Sequence, residues 1–504
     1  ISSVSASTIN NPNFGLSTTA TPPAKCDVKV EKVTYQTVGA AGERTMATAA
    51  LMLPSGTNAD CMGDRPVLLY AHGTTTDKGY DFSQVGNASN PAVGEANLIA
   101  ANFAAQGYVV VAPNYAGYDE STLGYHPYLV ANQQSADMVD ALNNSRTIIT
   151  QQRAGNNASY ANIKDSGKLF ISGYSQGGHV AMATARLLES QNKPVTAIAP
   201  LSGPYALAAF GDAIFAGNVN LGATRFAPLL AVGLQKAYGN VYGSTTDIFS
   251  PQYAATQLPS TSSFTQLVAA NQLPENALFQ SKPTNNAIIN QLPDSSLPFA
   301  ALGFDSEKYL IRTDFRAAYV TDALQNPDSL IAMTGAFPAA NPQNNLRKAL
   351  KLNDLRGFVP RTPTLLCGGT QDPTVFYDLN TTSMKRIIQG NVQNNPALKV
   401  NVTVLDVDTR NNRGEVTVIG SAISNPWMLT PTTTAIQTRF GATLNAVENQ
   451  AEIDARAAGV TDSAQIARAK GAAVLSIYHG GLVSTACTQA TREFFEQNFD
   501  RRAV

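Results

Sequence analysis

The stretch Gly173–Tyr174–Ser175–Gln176–Gly177 sets one hydroxyl between glycines, after the apolar run "KLFISGY" and before the helix-like "GGHVAMATARLL". A serine at a strand-to-helix turn is held in a strained backbone conformation, with its hydroxyl above the sheet edge. The flanking glycines leave room where a Cβ would meet the neighbouring strand and helix. The helix start also brings amides close to any negative charge that develops there. Such a serine suits nucleophilic catalysis once a base takes its proton. The plainer alternative is a Ser/Gly-rich turn with no chemistry.

The chain has four histidines, which keeps the search for that base short. His479, in "VLSIYHGG", is expected in a loop after a strand at the sheet's carboxyl edge, where Gly480 and Gly481 let it turn. His179 leaves the following helix away from the serine and reads as a packing or hydrogen-bonding residue. His126 reads as structural, and His72, in "YAHG", as a brace for its own loop. A carboxylate should orient the imidazole and come between serine and histidine in chain order. Asp372 in "TLLCGGTQDPTV" meets that condition, with Asp406 and Asp408 of "VLDVDTR" as rivals. Two backbone donors should receive the oxyanion. The expected pair is the amide of Gln176 and the amide of Thr74, in the loop after "LLYAHG".

These residues need a scaffold that brings strand ends to one edge. "RPVLLYAHG", "GYVVVAPNYAG", "GKLFISGYS", "VTAIAPLSGPY", "TPTLLCGGTQD" and "LKVNVTVLDVD" are apolar runs of strand length, as in a parallel sheet buried on both faces. Helix-length segments such as "EANLIAANFAAQ" and "NQQSADMVDALNNSRTII" lie between them. The fold class is therefore α/β, with helices on both faces of a mostly parallel sheet. The alternation stops after about Tyr205 and resumes near Leu355. The expected organisation is an irregular N-terminal segment (1–24), a core (25–205 and 355–504) and a mainly helical insertion (206–354). A second insertion is expected at about 409–471. In the first insertion Phe226, Leu229, Leu230 and Leu234 recur at helical spacing, either as internal packing or as an acyl-binding wall or lid. Trp427, the only tryptophan, reads as core packing within the second insertion.

In "YAHGT", "GYSQGG", "GTQDPTV" and "YHGG", taken in that order, the chain resembles the α/β-hydrolase superfamily. "APNYAGYDEST", "GYSQGG" and the long insertion make it similar to the secretory lipase group, whose members carry a helical cap. The resemblance implies hydrolysis of carboxylic esters through an acyl-enzyme, without a cofactor or a metal. Lipids, hydrophobic esters and polyester chains are the small-molecule or polymeric substrates it suggests. A peptidase or acyltransferase would share the chemistry up to the acyl-enzyme. A binding protein that kept the fold but lost catalysis is a further alternative.

The bulk composition sets outer bounds. Charged residues are 14% of 504, and the formal net charge is -1, which gives no electrostatic footprint for nucleic acid. No apolar run reaches membrane-spanning length. A start without an initiator Met or an apolar leader fits a mature exported chain, secreted or periplasmic, and fits a trimmed chain equally. The four cysteines allow three pairings, and sequence does not choose among them. Cys26–Cys61 with Cys367–Cys487 is the favoured pairing, and four reduced buried thiols are the alternative. The second bridge would tie the acid loop to the base loop.

Overall fold

The structure, a computed structural model, describes residues 1–14, 22–328, 341–420, 431–499 and 501. Its main sheet has ten strands: β1 (Ser2–Val4), β2 (Asp27–Val38), β3 (Arg44–Ser55), β4 (Gly63–Ala71), β5 (Val109–Pro113), β6 (Ile163–Tyr174), β7 (Ala197–Leu201), β10 (Thr364–Gly368), β11 (Val402–Asp406) and β12 (Val416–Ile419). Two short strands, β8 (Phe279–Gln280) and β9 (Phe304–Asp305), pair separately.

The order across the main sheet is β1-β2-β3-β5-β4-β6-β7-β10-β11-β12. From β5 to β11 every pairing is parallel, and β1, β2, β3 and β12 join antiparallel. Composition follows this division. Val67, Leu68 and Leu69 of β4 are all fully buried, because helices cover both faces there. Toward the end of β2, buried Val33, Tyr35 and Thr37 alternate with exposed Thr34, Gln36 and Val38, so one face meets water.

Three expectations change. The first residues are not irregular: Ser2–Val4 pairs with β2, and a short helix, Ala6–Ile9, follows. A three-residue edge strand is too short to leave an alternating signature. The segment 409–471 does not simply interrupt the sheet. Its β-branched Val416–Ile419 adds an antiparallel edge strand before the helices Pro431–Ala457 and Ser463–Ile477. Finally, "VLSIY" is helix rather than strand. Ile466, Val474 and Tyr478 are its buried positions, spaced as one helical face, and the Ala-rich residues before them favour helix. Trp427 lies outside the described residues.

Between β7 and β10 the chain forms the helices Leu207–Ala216, Ala223–Tyr238, Thr313–Gln325 and Asn345–Leu352, with shorter turns and β8–β9. This segment has an apolar core of its own, including Leu229, Leu234, Phe279, Tyr319 and Leu350. Its two ends meet. Leu355 N–H donates to Tyr205 O at 2.9 Å, and Ala208 N–H to Asp354 Oδ2 at 2.9 Å. Arg356, fully buried, bridges Asp354 and Asp328 and leaves neither charge unpaired.

His179, on the helix Gln176–Ser190, donates from Nε2 to Asn353 O at 2.8 Å and so joins that root to the nucleophile helix. Burial pulls His179 down to about 4. The folded protein therefore holds this imidazole neutral, whereas the unfolded chain protonates it near the ordinary histidine value. Its contribution to stability is complete above about pH 6.5 and is lost as the pH falls toward 4. His179→Gln keeps a donor but does not titrate. Between pH 7 and pH 5 the wild type should lose about 2 kcal/mol more unfolding free energy than this variant. Denaturant titrations at the two pH values measure the difference, and equal losses would contradict the assignment.

Candidate active site

Ser175 sits between β6 and the helix Gln176–Ser190 with φ 59° and ψ -120°, a conformation that costs a non-glycine residue strain. Its neighbours leave no alternative route for the chain. A Cβ on Gly177 would fall on the carbonyl of Ala71, and one on Gly173 on the carbonyl of Gly177. The Ser175 N–H donates to Leu201 O of β7 at 2.9 Å, which pins the turn to the adjacent strand.

Three of the sequence-selected side chains meet here. His479 Nε2 lies 2.8 Å from Ser175 Oγ, and its Nδ1 lies 2.6 Å from Asp372 Oδ2. The other carboxylate oxygen, Oδ1, accepts from the amides of Thr374 and Val375 at 2.9 and 3.0 Å. Because Asp372 can only accept, Nδ1 carries the imidazole proton and the Nε2 lone pair faces the serine hydroxyl. All three side chains are largely shielded from water.

His479 reaches this position by an unforeseen route. It lies in a π-helical turn, Tyr478–Val483, between the helices Ser463–Ile477 and Ser484–Asn498. Two tyrosines hold the turn. Tyr174, the residue before the nucleophile, donates its hydroxyl to the backbone carbonyl of His479, and its ring packs against the imidazole at 5.0 Å between centroids. Tyr478 donates to Asp408 Oδ2 at 2.6 Å and accepts from the amide of Gln371 at 3.1 Å. The base turn and the acid turn therefore share one hydroxyl.

The rival carboxylates have other partners. Asp406 accepts from the Thr370 amide at 3.0 Å, the Thr370 hydroxyl and the Asp408 amide, and so braces the turn that carries Asp372. Burial alone would raise the Asp408 carboxyl, but hydrogen bonds from Arg410 and Tyr478 outweigh it and hold the group below the usual range. Behind both turns, Cys367 of β10 is bonded to Cys487 of the last helix, with Cα atoms 5.7 Å apart. Cys26 and Cys61 form the other bridge.

The loop after β4 is held from several sides. Glu95 accepts from Gly73 N–H at 3.0 Å, Tyr70 OH at 2.7 Å and Tyr80 OH at 2.9 Å, and burial raises its carboxyl. Tyr115 donates to His72 O at 2.8 Å. The His72 ring packs 4.1 Å from the Tyr115 ring, with Nδ1 2.7 Å from Gly73 O, and burial pulls this histidine down to about 4. Thr74 pairs its hydroxyl with Tyr128 OH at 2.8 Å. Among the described residues, the backbone amides of Thr74 and Gln176 have no protein acceptor. The Gln176 side chain donates from Nε2 to His126 Nε2 at 2.7 Å, while His126 Nδ1 donates to Ala116 O at 2.8 Å. Sequence reasoning missed the parts of Tyr174, Tyr478, Glu95 and Tyr128, since only tertiary contact gives them a partner.

A cavity opens from Ser175 and Gln176 into the insertion, with about 880 Å³ of unfilled space including its mouth. Phe210, Ile214, Phe226, Leu230, Leu278 and Ile311 line it, and none of the described residues around it is charged. The helical repeat noted in the sequence thus divides: Phe226 and Leu230 face the cavity, whereas Leu229 and Leu234 are buried in the insertion's own core. Among the described residues, no group of three or more His, Cys, Asp or Glu is arranged to hold a metal ion. Nor is any helix among them long and apolar enough to cross a membrane.

No family model matches the chain, and no curated protein sequence does. Solved structures do match. The rice cell wall degrading esterase LipA from Xanthomonas oryzae superposes with TM-score 0.61 at 26% identity, over 82% of this chain and 90% of that one. A Legionella pneumophila protein assigned as a hydrolase superposes with TM-score 0.55 at 19% identity, over 77% and 86%. The chain has the α/β-hydrolase fold. The superposition with LipA extends across most of both chains.

The Tyr478 hydroxyl gives this hydrolase a test independent of substrate. Tyr478→Phe removes the link between the acid turn and the base turn without removing either residue. Phosphonylation of Ser175 by a fluorophosphonate should slow about tenfold in the variant, a cost of the size expected for one lost positioning hydrogen bond. An unchanged rate would mean that the two turns hold their places without it.

Proposed function

We propose that this hydrolase is an exported carboxylic-ester hydrolase, an esterase or lipase working through an acyl-enzyme on Ser175. The observation that carries the reading is the continuous path from Asp372 Oδ2 through both ring nitrogens of His479 to Ser175 Oγ, at 2.6 and 2.8 Å. As Oγ attacks the ester carbonyl carbon, its proton passes to Nε2, and Asp372 stabilises the imidazolium. The carbonyl oxygen becomes an oxyanion and is received by the amides of Gln176 and Thr74. His479 then gives the proton to the departing alkoxide oxygen, the C–O bond breaks, and the acyl group remains on Ser175. Water, deprotonated by His479, attacks the acyl-enzyme in the same way. The acid is released with the serine proton restored.

The substrate side rests on the cavity. An uncharged, aromatic- and aliphatic-lined space beside the nucleophile suits an apolar acyl chain. In this reading residues 25–205 and 355–504 are the catalytic core, residues 206–354 a cap that supplies the acyl wall, and residues 1–24 an N-terminal segment. Two disulfides fit an oxidising compartment, hence secretion or the periplasm. Lipids and polyester chains are the natural apolar esters for such a site. Peptidase or acyltransferase chemistry on the same triad is the competing reading.

The test pairs a substrate series with one wall residue. Wild type should hydrolyse p-nitrophenyl octanoate, leave the matching anilide essentially intact, and be inactive as Ser175→Ala. Leu230→Trp fills the cavity, so kcat/KM for octanoate should fall by about tenfold or more while that for acetate stays within a few-fold. Faster turnover of the anilide would favour the peptidase reading. Equal losses on both esters would remove the cavity from acyl binding.

A further inference from the structure

Asp372 is followed by Pro373, which has no N–H, so the first free amides after the carboxylate belong to Thr374 and Val375. Both donate to Asp372 Oδ1, at 2.9 and 3.0 Å, which leaves Oδ2 for His479. A trans peptide group is planar, and its C=O and N–H point in opposite directions. Each of these two amides, in trans peptides, therefore has a carbonyl at its back. Pro373 O lies behind the Thr374 amide, and Thr374 O behind the Val375 amide. Both carbonyls are held by the insertion. Leu221 N–H donates to Pro373 O at 2.9 Å, and Asn220 Nδ2–H donates to Thr374 O at 2.7 Å. Two adjacent residues of the insertion thus grip, from behind, the two peptide groups that hold the carboxylate.

Asn220 and Leu221 lie in the loop between the helices Leu207–Ala216 and Ala223–Tyr238, and the Asn220 side chain is buried. Its amide can face only one way, because an oxygen in place of Nδ2 would meet Thr374 O, another acceptor. Phe210, on the first of those helices, packs edge to face on Phe376 at 5.3 Å between centroids, so the insertion also supports the residue that follows the gripped pair. A hydrogen bond to a carbonyl polarises its peptide group and strengthens the N–H as a donor. The Asn220 bond therefore does two things for Asp372. It fixes the direction of the Val375 amide and makes that amide a better donor to Oδ1. With Oδ1 held, the carboxylate is kept from turning, and Oδ2 stays on Nδ1 of His479.

We propose that Asn220 is a positioning residue for the triad carboxylate, so that the insertion serves the proton path as well as the acyl cavity. This role rests on the triad of the ester-hydrolase reading and not on its substrate.

A double-mutant cycle on the full chain tests it. Diisopropyl fluorophosphate phosphonylates Ser175, a reaction that needs the base but no ester substrate. Its rate is measured in wild type, Asn220→Leu, Asp372→Ala and the double variant. Asn220→Ala replaces Asn220→Leu if circular dichroism shows that leucine disturbs the fold. The Asn220 substitution should slow phosphonylation about tenfold with Asp372 present, and by no more than about twofold in the Asp372→Ala background. For p-nitrophenyl acetate, kcat should fall by a similar factor while KM stays within a few-fold, as expected of a group that acts through the carboxylate and not on bound substrate. An unchanged phosphonylation rate with Asp372 present would overturn the role. So would an equal loss in both backgrounds, the pattern of a residue that only packs the cavity wall or the fold. Wild type that is phosphonylated with the expected cycle but hydrolyses no ester would leave the role standing and remove the ester-hydrolase reading. A wild type that is not phosphonylated would overturn both.

Discussion

The Nε2 lone pair of His479 faces the Ser175 hydroxyl only because three distant parts of the chain end at one edge of the sheet. Ser175 follows β6, Asp372 follows β10, and His479 projects from a π-helical turn that is not part of the sheet. A relay of this kind tolerates errors of only about an ångström. Much of the surrounding hydrogen bonding holds it in register. Tyr174 fixes the carbonyl of His479, Tyr478 joins the base turn to the amide beside Asp372, and Asp406 secures Thr370 in the acid turn. The Cys367–Cys487 bridge fastens the strand before the acid to the helix after the base.

The same economy shapes the walls of the site. Glu95 is a half-buried carboxylate on which three donors converge, and one of them is the amide of Gly73. A group so placed fixes the backbone that leads into Thr74. On the other side the insertion returns to its point of departure, and Arg356 forms ion pairs with both Asp354 and Asp328 at the junction. The insertion thus contributes Phe226 and Leu230 to the cavity from a root anchored to the nucleophile helix through His179 and Asn353.

Much of this was legible in the sequence because the signals were local. Six parallel strands announced themselves as apolar runs, and the glycines around Ser175 marked a turn that only small residues allow. Four histidines left few candidates for the base. Chain order admitted Asp372, Asp406 and Asp408 alike, and the β-run and Gly-Gly turn before Asp372 set it ahead of the other two. What escaped were features defined by partners. "VLSIY" has the residues of a strand, and only its burial periodicity with Ile466 and Val474 shows a helix. The edge strands β1 and β12 are too short to show alternation. Tyr174, Tyr478, Glu95 and Tyr128 carry no local mark of their roles, because their hydrogen bonds, spanning from 15 to 305 residues of sequence, have no pattern within a short window.

The account depends most on the proton held at Nδ1 of His479 by Asp372. Asp372→Asn keeps the volume of the side chain but lets the imidazole adopt the other tautomer, with its proton toward the serine. Steady-state kinetics on an activated octanoate ester would measure the effect directly. The prediction is a fall in kcat of about 10⁴-fold with KM changed only a few-fold. A variant within tenfold of the wild-type kcat would show that the carboxylate does not govern the base, and the central geometry would have to be reassigned.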